Sequence, residues 1–146
     1  VSVDLIVNPV TLDIRDVLVG ANEGEWAGTG INKWAINIGT EPADPILSIT
    51  LYDFDALPAK SMSTDTIFEK APFQVRTRHA DYNAAYQKLM LIKRVLLKKT
   101  YWAVGGAAYK RITKGIGPFY MKQDEQRRHR WVQTFVAHRE YSEGTD

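Results

Sequence analysis

The chain has 146 residues, 45% of them hydrophobic and 25% charged, with a formal net charge of +2. These are the proportions of an ordinary globular protein with one core, and they exclude a chain disordered throughout. Cysteine is absent, which excludes disulfides, thiolate metal sites and a cysteine nucleophile, and so small a net charge does not announce a nucleic-acid partner.

A single domain over residues 1–146 is expected, with 1–7 and 141–146 as flexible ends. No apolar run approaches the roughly 18–20 residues that cross a bilayer, so no membrane partner is expected. The opening VSVDLIVNP carries an acidic residue and no basic region, and is not expected to be a signal peptide.

In chain order, Asn8 and Pro9 suit a helix opening, as cap and first helical residue. Val10, Ile14, Val17 and Leu18 then recur at helical spacing up to Gly20, a suitable stop. A glycine-rich link over 20–30 follows, with Trp26 expected to pin it to the body. Residues 33–38 and 46–52 predict two strands joined through a proline-containing turn. In the second, Leu47, Ile49 and Leu51 alternate with Ser48, Thr50 and Tyr52, the pattern of a sheet covered on one side. Residues 53–71 show little periodicity and predict a long loop. The third strand, over 73–79, places Phe73, Val75 and Thr77 on one face and Gln74, Arg76 and Arg78 on the other.

A long amphipathic helix is predicted over 80–98. Tyr82, Ala85, Tyr86, Leu89, Ile92 and Leu96 form its main apolar stripe, Lys93 snorkels within that arc, and Ala84, Leu91 and Val95 form a smaller stripe nearly opposite. Strands over 101–104, 107–113, 116–122 and 131–139 follow, with Gly105-Gly106 as a tight turn and a polar tip, QDEQRRHR. The order predicts an α+β fold: a single mixed, mostly antiparallel sheet with the long helix and the N-terminal helix packed on one face.

Chemistry is sparse. His79, His129 and His138 are not spaced as a helix-borne metal pair, and each reads as a surface or edge residue. Asp53 and Asp55 flank Phe54 at a strand end, the one hint of paired acids, but no lysine, histidine or glycine pattern completes a site. GTGINK lacks a full phosphate-loop pattern. No catalytic, cofactor-binding or metal residue is assigned, no cofactor is expected, and the chain does not read as an enzyme. Lys122, Arg127, Arg128, His129 and Arg130 form a basic cluster interrupted by Asp124 and Glu125. It reads as a solvated hairpin tip, or as a docking surface for an acidic ring or passing DNA phosphate. Phe119, Tyr120 and Trp131 stand at strand positions where core packing is the default; a base-stacking platform would need them gathered on one exposed face.

Two segments, PFQVRTRHADYNAAYQKLMLIKRVL and YKRITKGIGPFYMKQDEQRRHRWVQTFVAHRE, within a span from Pro72 to Tyr141 that covers about half of the chain, resemble the tail terminator (tail completion, or minor capsid) proteins of long-tailed bacteriophages. The resemblance is carried by the strand of alternating apolar and polar residues with Gln74, Arg76 and Arg78 and by the Asp81-Tyr82 helix start. It continues through Gly117, Pro118, Asp124, Glu125, Arg127 and Phe135 of the closing hairpin. It implies a structural virion protein that caps the head-proximal end of a tail tube as a homo-oligomeric, hexameric ring assembled in the host cytoplasm. The ring would end tube polymerisation, join the neck or connector, and pass DNA only as cargo. Expected exposure, not the family pattern, then picks the candidate subunit-interface residues: Arg76 and Arg78, with Ser48 and Thr50 on the same open polar sheet face, and the Leu91 and Val95 stripe of the helix. The candidate ring-to-ring contacts are Asp124, Glu125, Arg127, Arg128 and Arg130, with the 53–71 loop. The alternatives are another neck, head-completion or tube protein, and a small nucleic-acid-binding module working through Arg127, Arg128 and Arg130.

Overall fold

Strand pairing between residues distant in the chain organises the structure, a computed structural model that describes residues 7–21, 25–26, 34–42, 47–53, 60–63, 66–104 and 106–142. The elements are α1 (Val10–Gly20), β1 (Glu25–Trp26), β2 (Ala35–Ile38), β3 (Ser48–Asp53), β4 (Lys60–Ser63) and β5 (Thr66–His79). They continue with α2 (Tyr82–Lys98), β6 (Thr100–Val104), β7 (Ala107–Lys114), β8 (Phe119–Met121) and β9 (His129–Ser142). The nine strands form one sheet in the order β1-β2-β3-β5-β9-β7-β6, with β4 beside β5 and β8 beside β9. β1, β2 and β3 run parallel to one another; every other pair is antiparallel. The fold is α+β with a single mixed sheet, as the order of elements predicts.

Both helices cover the same, inner face. α2 packs on β5, β9 and β7, and α1 on β3, β2 and the flank of α2. Alternation aims Ile49 and Leu51 of β3, Phe73 and Val75 of β5, and Phe135 and Ala137 of β9 at the helices. There they meet Val10, Ile14 and Leu18 of α1 and Leu89, Ile92 and Leu96 of α2. Each large side chain contributes on the order of 1.5–3 kcal/mol by burial, against the entropy of ordering it. The predicted stripe of α2 is the buried one at Ala85, Leu89, Ile92 and Leu96, whereas Tyr82 stands half out of it.

Three expectations change. Residues 53–71 are not one loop: β4 and the first half of β5 lie there, so β5 runs for 14 residues. Pro72 disguises it. β4 pairs β5 only up to Glu69 and β3 meets β5 only at Phe73, so residues 70–72 have, among the described residues, a partner strand on the β9 side alone. A proline fits where one side of the ladder is open. Second, β2 and β3 pair in parallel, so they are not the arms of a hairpin. Third, Pro9 is itself the N-cap of α1, and Asn8 does not cap it. Asp53 at the end of β3 does that work, accepting from the Thr11 backbone N–H at 3.3 Å and its hydroxyl at 2.6 Å. At α2 the expected acidic start holds, with the Asp81 carboxylate accepting from Ala84 N–H at 2.8 Å. β9 extends to Ser142, further than the flexible end expected at 141; residues 1–6 and 143–146, the glycine-rich GTGINK and Asp55 lie outside the described residues.

Candidate assembly surfaces

The inner face ends in a polar cluster. Tyr109 of β7 donates its hydroxyl to the fully buried Asp13 of α1. Arg139 of β9 reaches the Tyr109 oxygen at 3.2 Å, the Asn8 carbonyl at 2.8 Å and Glu69 of β5 at 2.8 Å, and Tyr141 donates to Glu69 at 3.0 Å. Burial, with the hydrogen bond to Asp13, pushes the Tyr109 phenol well up. Burial works against the Arg139 charge, but Tyr109 and Glu69 outweigh it and hold the guanidinium protonated. Each charge has its counter-group, so the cluster works as a clamp between helix and sheet.

The outer face carries Ser48, Thr50 and Tyr52 of β3, Gln74, Arg76 and Arg78 of β5, and the alternate residues of β9. It is not open throughout, and this corrects the expectation for three residues. Ser48 and Thr50 are fully buried, and Arg78 is 1% exposed. Arg78 donates to the Pro42 carbonyl at 2.5 Å and lies 3.7 Å from Glu41, so residues 41–42 cross this end of the face. Burial and the neighbouring Arg128 charge pull the Arg78 pKa down, with Glu41 opposing them. Arg76 stays half-buried, bonded to Gln74 at 3.0 Å with its guanidinium 4.6 Å from the Tyr52 ring.

The polar tip is a closed turn. Asp124 accepts from the Gln126 and Arg128 backbone N–H groups, both at 2.9 Å, and from the Arg128 guanidinium at 2.6 Å. Burial opposes ionisation, but those N–H groups and the Arg128 charge hold the Asp124 carboxyl below its usual range. Arg127 takes a left-handed conformation with φ of 61°. Arg130 pairs with Glu41 at 3.2 Å. Arg128 is buried beside Asp124, which corrects the expectation of a row of solvent-facing cations. Of the tip candidates, Glu125 and Arg127 face solvent.

Next to the tip the structure gathers aromatic rings that the sequence leaves scattered. Tyr82 at the start of α2 lies 5.1 Å from Tyr120, 5.5 Å from His129 and 5.3 Å from Trp131, and Tyr86 lies 4.8 Å from Trp131. Tyr82, Phe119 and Tyr120 remain exposed. At the far end of α2 a second pair of apolar residues is exposed: Leu97, and Tyr101 of β6, which is 83% exposed on a backbone with φ of 47°. β6 closes one end of the sheet and has β7 as its only strand partner among the described residues. Leu91 is exposed, but Val95 is half-buried. Val95 faces a groove of about 400 Å³ lined with Asp13, Asp16, Val17 and Trp102, so the two do not form one free stripe.

His79 accepts from the Asp81 backbone N–H at 2.8 Å, His129 pairs with the Tyr120 hydroxyl at 2.8 Å, and His138 with the Thr113 hydroxyl at 3.1 Å. Among the described residues, no three His, Cys, Asp or Glu side chains are grouped to hold a metal ion, and no helix is long and apolar enough to cross a membrane.

A sheet backed by two helices, with charges paired internally and apolar rings left outside, describes a scaffold built for contact with other chains. Residues 17–141 match the family described as bacteriophage tail terminator protein, and the chain belongs to that family. It is a structural protein of a phage tail, as the resemblance of its strand, helix and closing hairpin implies. No curated protein matches it.

Proposed function

We propose that this chain closes into a homo-oligomeric ring, six-membered as the family resemblance implies, on the head-proximal end of a tail tube. The ring ends polymerisation of the tube protein, offers its other face to the neck or connector, and leaves a passage for DNA. The observation that supports it is the separation of two groups of exposed apolar residues. Tyr82, Phe119 and Tyr120 lie at one end of α2, and Leu97 and Tyr101 at the other, about 22 Å apart along the helix at 1.5 Å per residue. Two unlike groups on one chain suit a head-to-tail interface, the kind that generates rings when its rotation closes. Leu91, with Val95 one helical turn on, and Arg76 on the outer face are the subunit-contact candidates retained; Arg78, two residues from Arg76 on that face, is covered by residues 41–42. Glu125 and Arg127 are the ring-to-ring candidates, held in place by Asp124, Arg128 and Arg130.

Electron microscopy of particles assembled without this chain tests the reading. Overlong tubes are expected. Tails of normal length beside unjoined heads would instead make it a neck protein.

A further inference from the structure

The net charge is small, yet its distribution over the outer face is uneven. Lys70 of β5 stands directly opposite His138 of β9, and His138 directly opposite Arg111 of β7. Three basic side chains thus form one row across three strands, about 10 Å long at roughly 4.8 Å per strand spacing. Lys110 adjoins the row with its ammonium 5.2 Å from the Phe68 ring. Together with Phe68, Glu69 and Arg139 these residues line a shallow hollow of about 280 Å³.

Lys70 and Arg111 flank the His138 ring from opposite sides, two strand spacings apart on one face, so the row concentrates positive charge without a direct like-charge pair. Counter-charge is scarce. Glu140 lies 3.9 Å from Lys110, and Glu69 is engaged by Arg139 and Tyr141. Among the described residues, neither Lys70 nor Arg111 has a carboxylate within ion-pair distance. Burial, then the charges of Arg111 and Lys70, lower the His138 pKa, which reports a positive field at the centre of the row.

We propose that the hollow formed by Lys70, Lys110, Arg111 and His138 binds the phosphodiester backbone of a nucleic acid. A guanidinium fork and two ammonium groups are the donors that phosphate oxygens accept. Lys70, Lys110 and Arg111 are exposed, and their row is longer than one phosphate, which suits a passing strand better than a small enclosed anion. The site differs from the basic tip, whose cations Arg128 and Arg130 are already paired with Asp124 and Glu41. It stands whether or not the chain closes into a ring.

The test is titration of a fluorescent DNA duplex with the full chain by anisotropy, from about 20 mM to 200 mM salt, comparing wild type, the double variant Lys70→Gln with Arg111→Gln, and Arg127→Gln. Each phosphate contact contributes about −0.9 to the slope of log affinity against log salt. A wild-type slope between about −2 and −3 is expected, shallower by about 2 in the double variant and unchanged in Arg127→Gln. No wild-type binding at the lowest salt overturns the proposal, as does a double variant that binds like wild type. Inorganic phosphate is titrated in parallel against the His138 ring resonances. If it saturates them at the same phosphate concentration as the duplex, the site is a small-anion site and the assignment to a phosphodiester backbone fails. Retained near-ultraviolet circular dichroism in the double variant shows that any loss is not unfolding.

Discussion

The Tyr109 hydroxyl donates to the Asp13 carboxylate across 96 residues of chain, tying β7 to α1. Without that hydroxyl, Asp13 would keep, among the described residues, only Asn8 at 3.2 Å and the Arg139 guanidinium at 3.9 Å. Tyr109→Phe is expected to cost about 1–3 kcal/mol, the penalty of an under-satisfied buried acceptor, read by urea denaturation. The pH dependence has a definite sign. The folded phenol titrates above its ordinary value of 10.0, so its contribution is complete below pH 10 and is lost as pH rises toward the folded value. Tyr109→Phe should therefore lose stability less steeply above pH 10 than wild type, and an identical alkaline slope would disprove the coupling.

Asp124 organises the β8–β9 turn through its bonds to Gln126 and Arg128. Asp124→Asn keeps the shape but removes the charge that Arg128 is buried against. Amide exchange at Gln126 and Arg128 is expected to speed up by about tenfold, the equivalent of 1.4 kcal/mol of local stability. Because the folded carboxyl titrates below its ordinary value of 3.8, its contribution is present above that pH and fades as pH falls through the folded value. The asparagine variant should lack this acid-side loss. Unchanged exchange at both amides would mean that the turn closes without the carboxylate.

Gln133 of β9 faces α2 and is fully buried, and neither its side-chain oxygen nor its nitrogen has a hydrogen-bond partner among the described residues. An unpaired buried amide costs about 1–3 kcal/mol, whereas a thioether of similar length costs nothing in desolvation. Gln133→Met is expected to raise Tm by about 4 °C for each 1 kcal/mol recovered. A lower Tm would show that the amide is satisfied in solution.

The β8 approach to β9 depends on Gly117. Its φ is +116°, and a Cβ there would meet the Val132 carbonyl oxygen at 3.0 Å and the Gln133 Cα at 3.1 Å. Both obstacles are backbone, which cannot turn aside. Gly117→Ala should cost about 1–3 kcal/mol, measured by thermal unfolding, and a cost under 0.5 kcal/mol, roughly that of a neutral surface change, would show that the strand pair can shift.

What the sequence reveals here follows from range. The stripe of Ala85, Leu89, Ile92 and Leu96 and the alternation of Phe73, Val75 and Thr77 are local periodicities, readable because the burial that enforces them is periodic. The first half of β5 is hidden because Pro72 looks like a breaker until the gap between β4 and β3 is known. The charges are harder still. Arg78 and Arg128 look like surface cations because their covers, Glu41 with Pro42 and Asp124, act through tertiary contacts or a folded turn. The aromatic gathering of Tyr82, Tyr120 and Trp131 joins a helix start to two strands, and no spacing rule connects them. The row of Lys70, His138 and Arg111 depends on strand register, which residue types alone do not specify.

Leu91 and Val95, one helical turn apart on α2, differ in burial, so substitutions there can tell a loss of assembly from a loss of folding. Leu91 is exposed, so Leu91→Asp should change stability by no more than about 0.5 kcal/mol. Val95 lines the groove with Asp13, Asp16, Val17 and Trp102. Val95→Asp would bring a third carboxylate beside two others in a partly apolar setting, at an expected cost of about 2–4 kcal/mol. Failure of the valine variant to cap tails therefore says little about contacts between subunits. Leu91→Asp is the informative change: a chain with wild-type Tm that no longer associates in sedimentation, or no longer limits tube length, places Leu91 at the subunit boundary. Normal association and normal tube length with Leu91→Asp would move that boundary elsewhere, toward Leu97 and Tyr101, where an aromatic ring stands almost wholly in solvent beside the edge of the sheet.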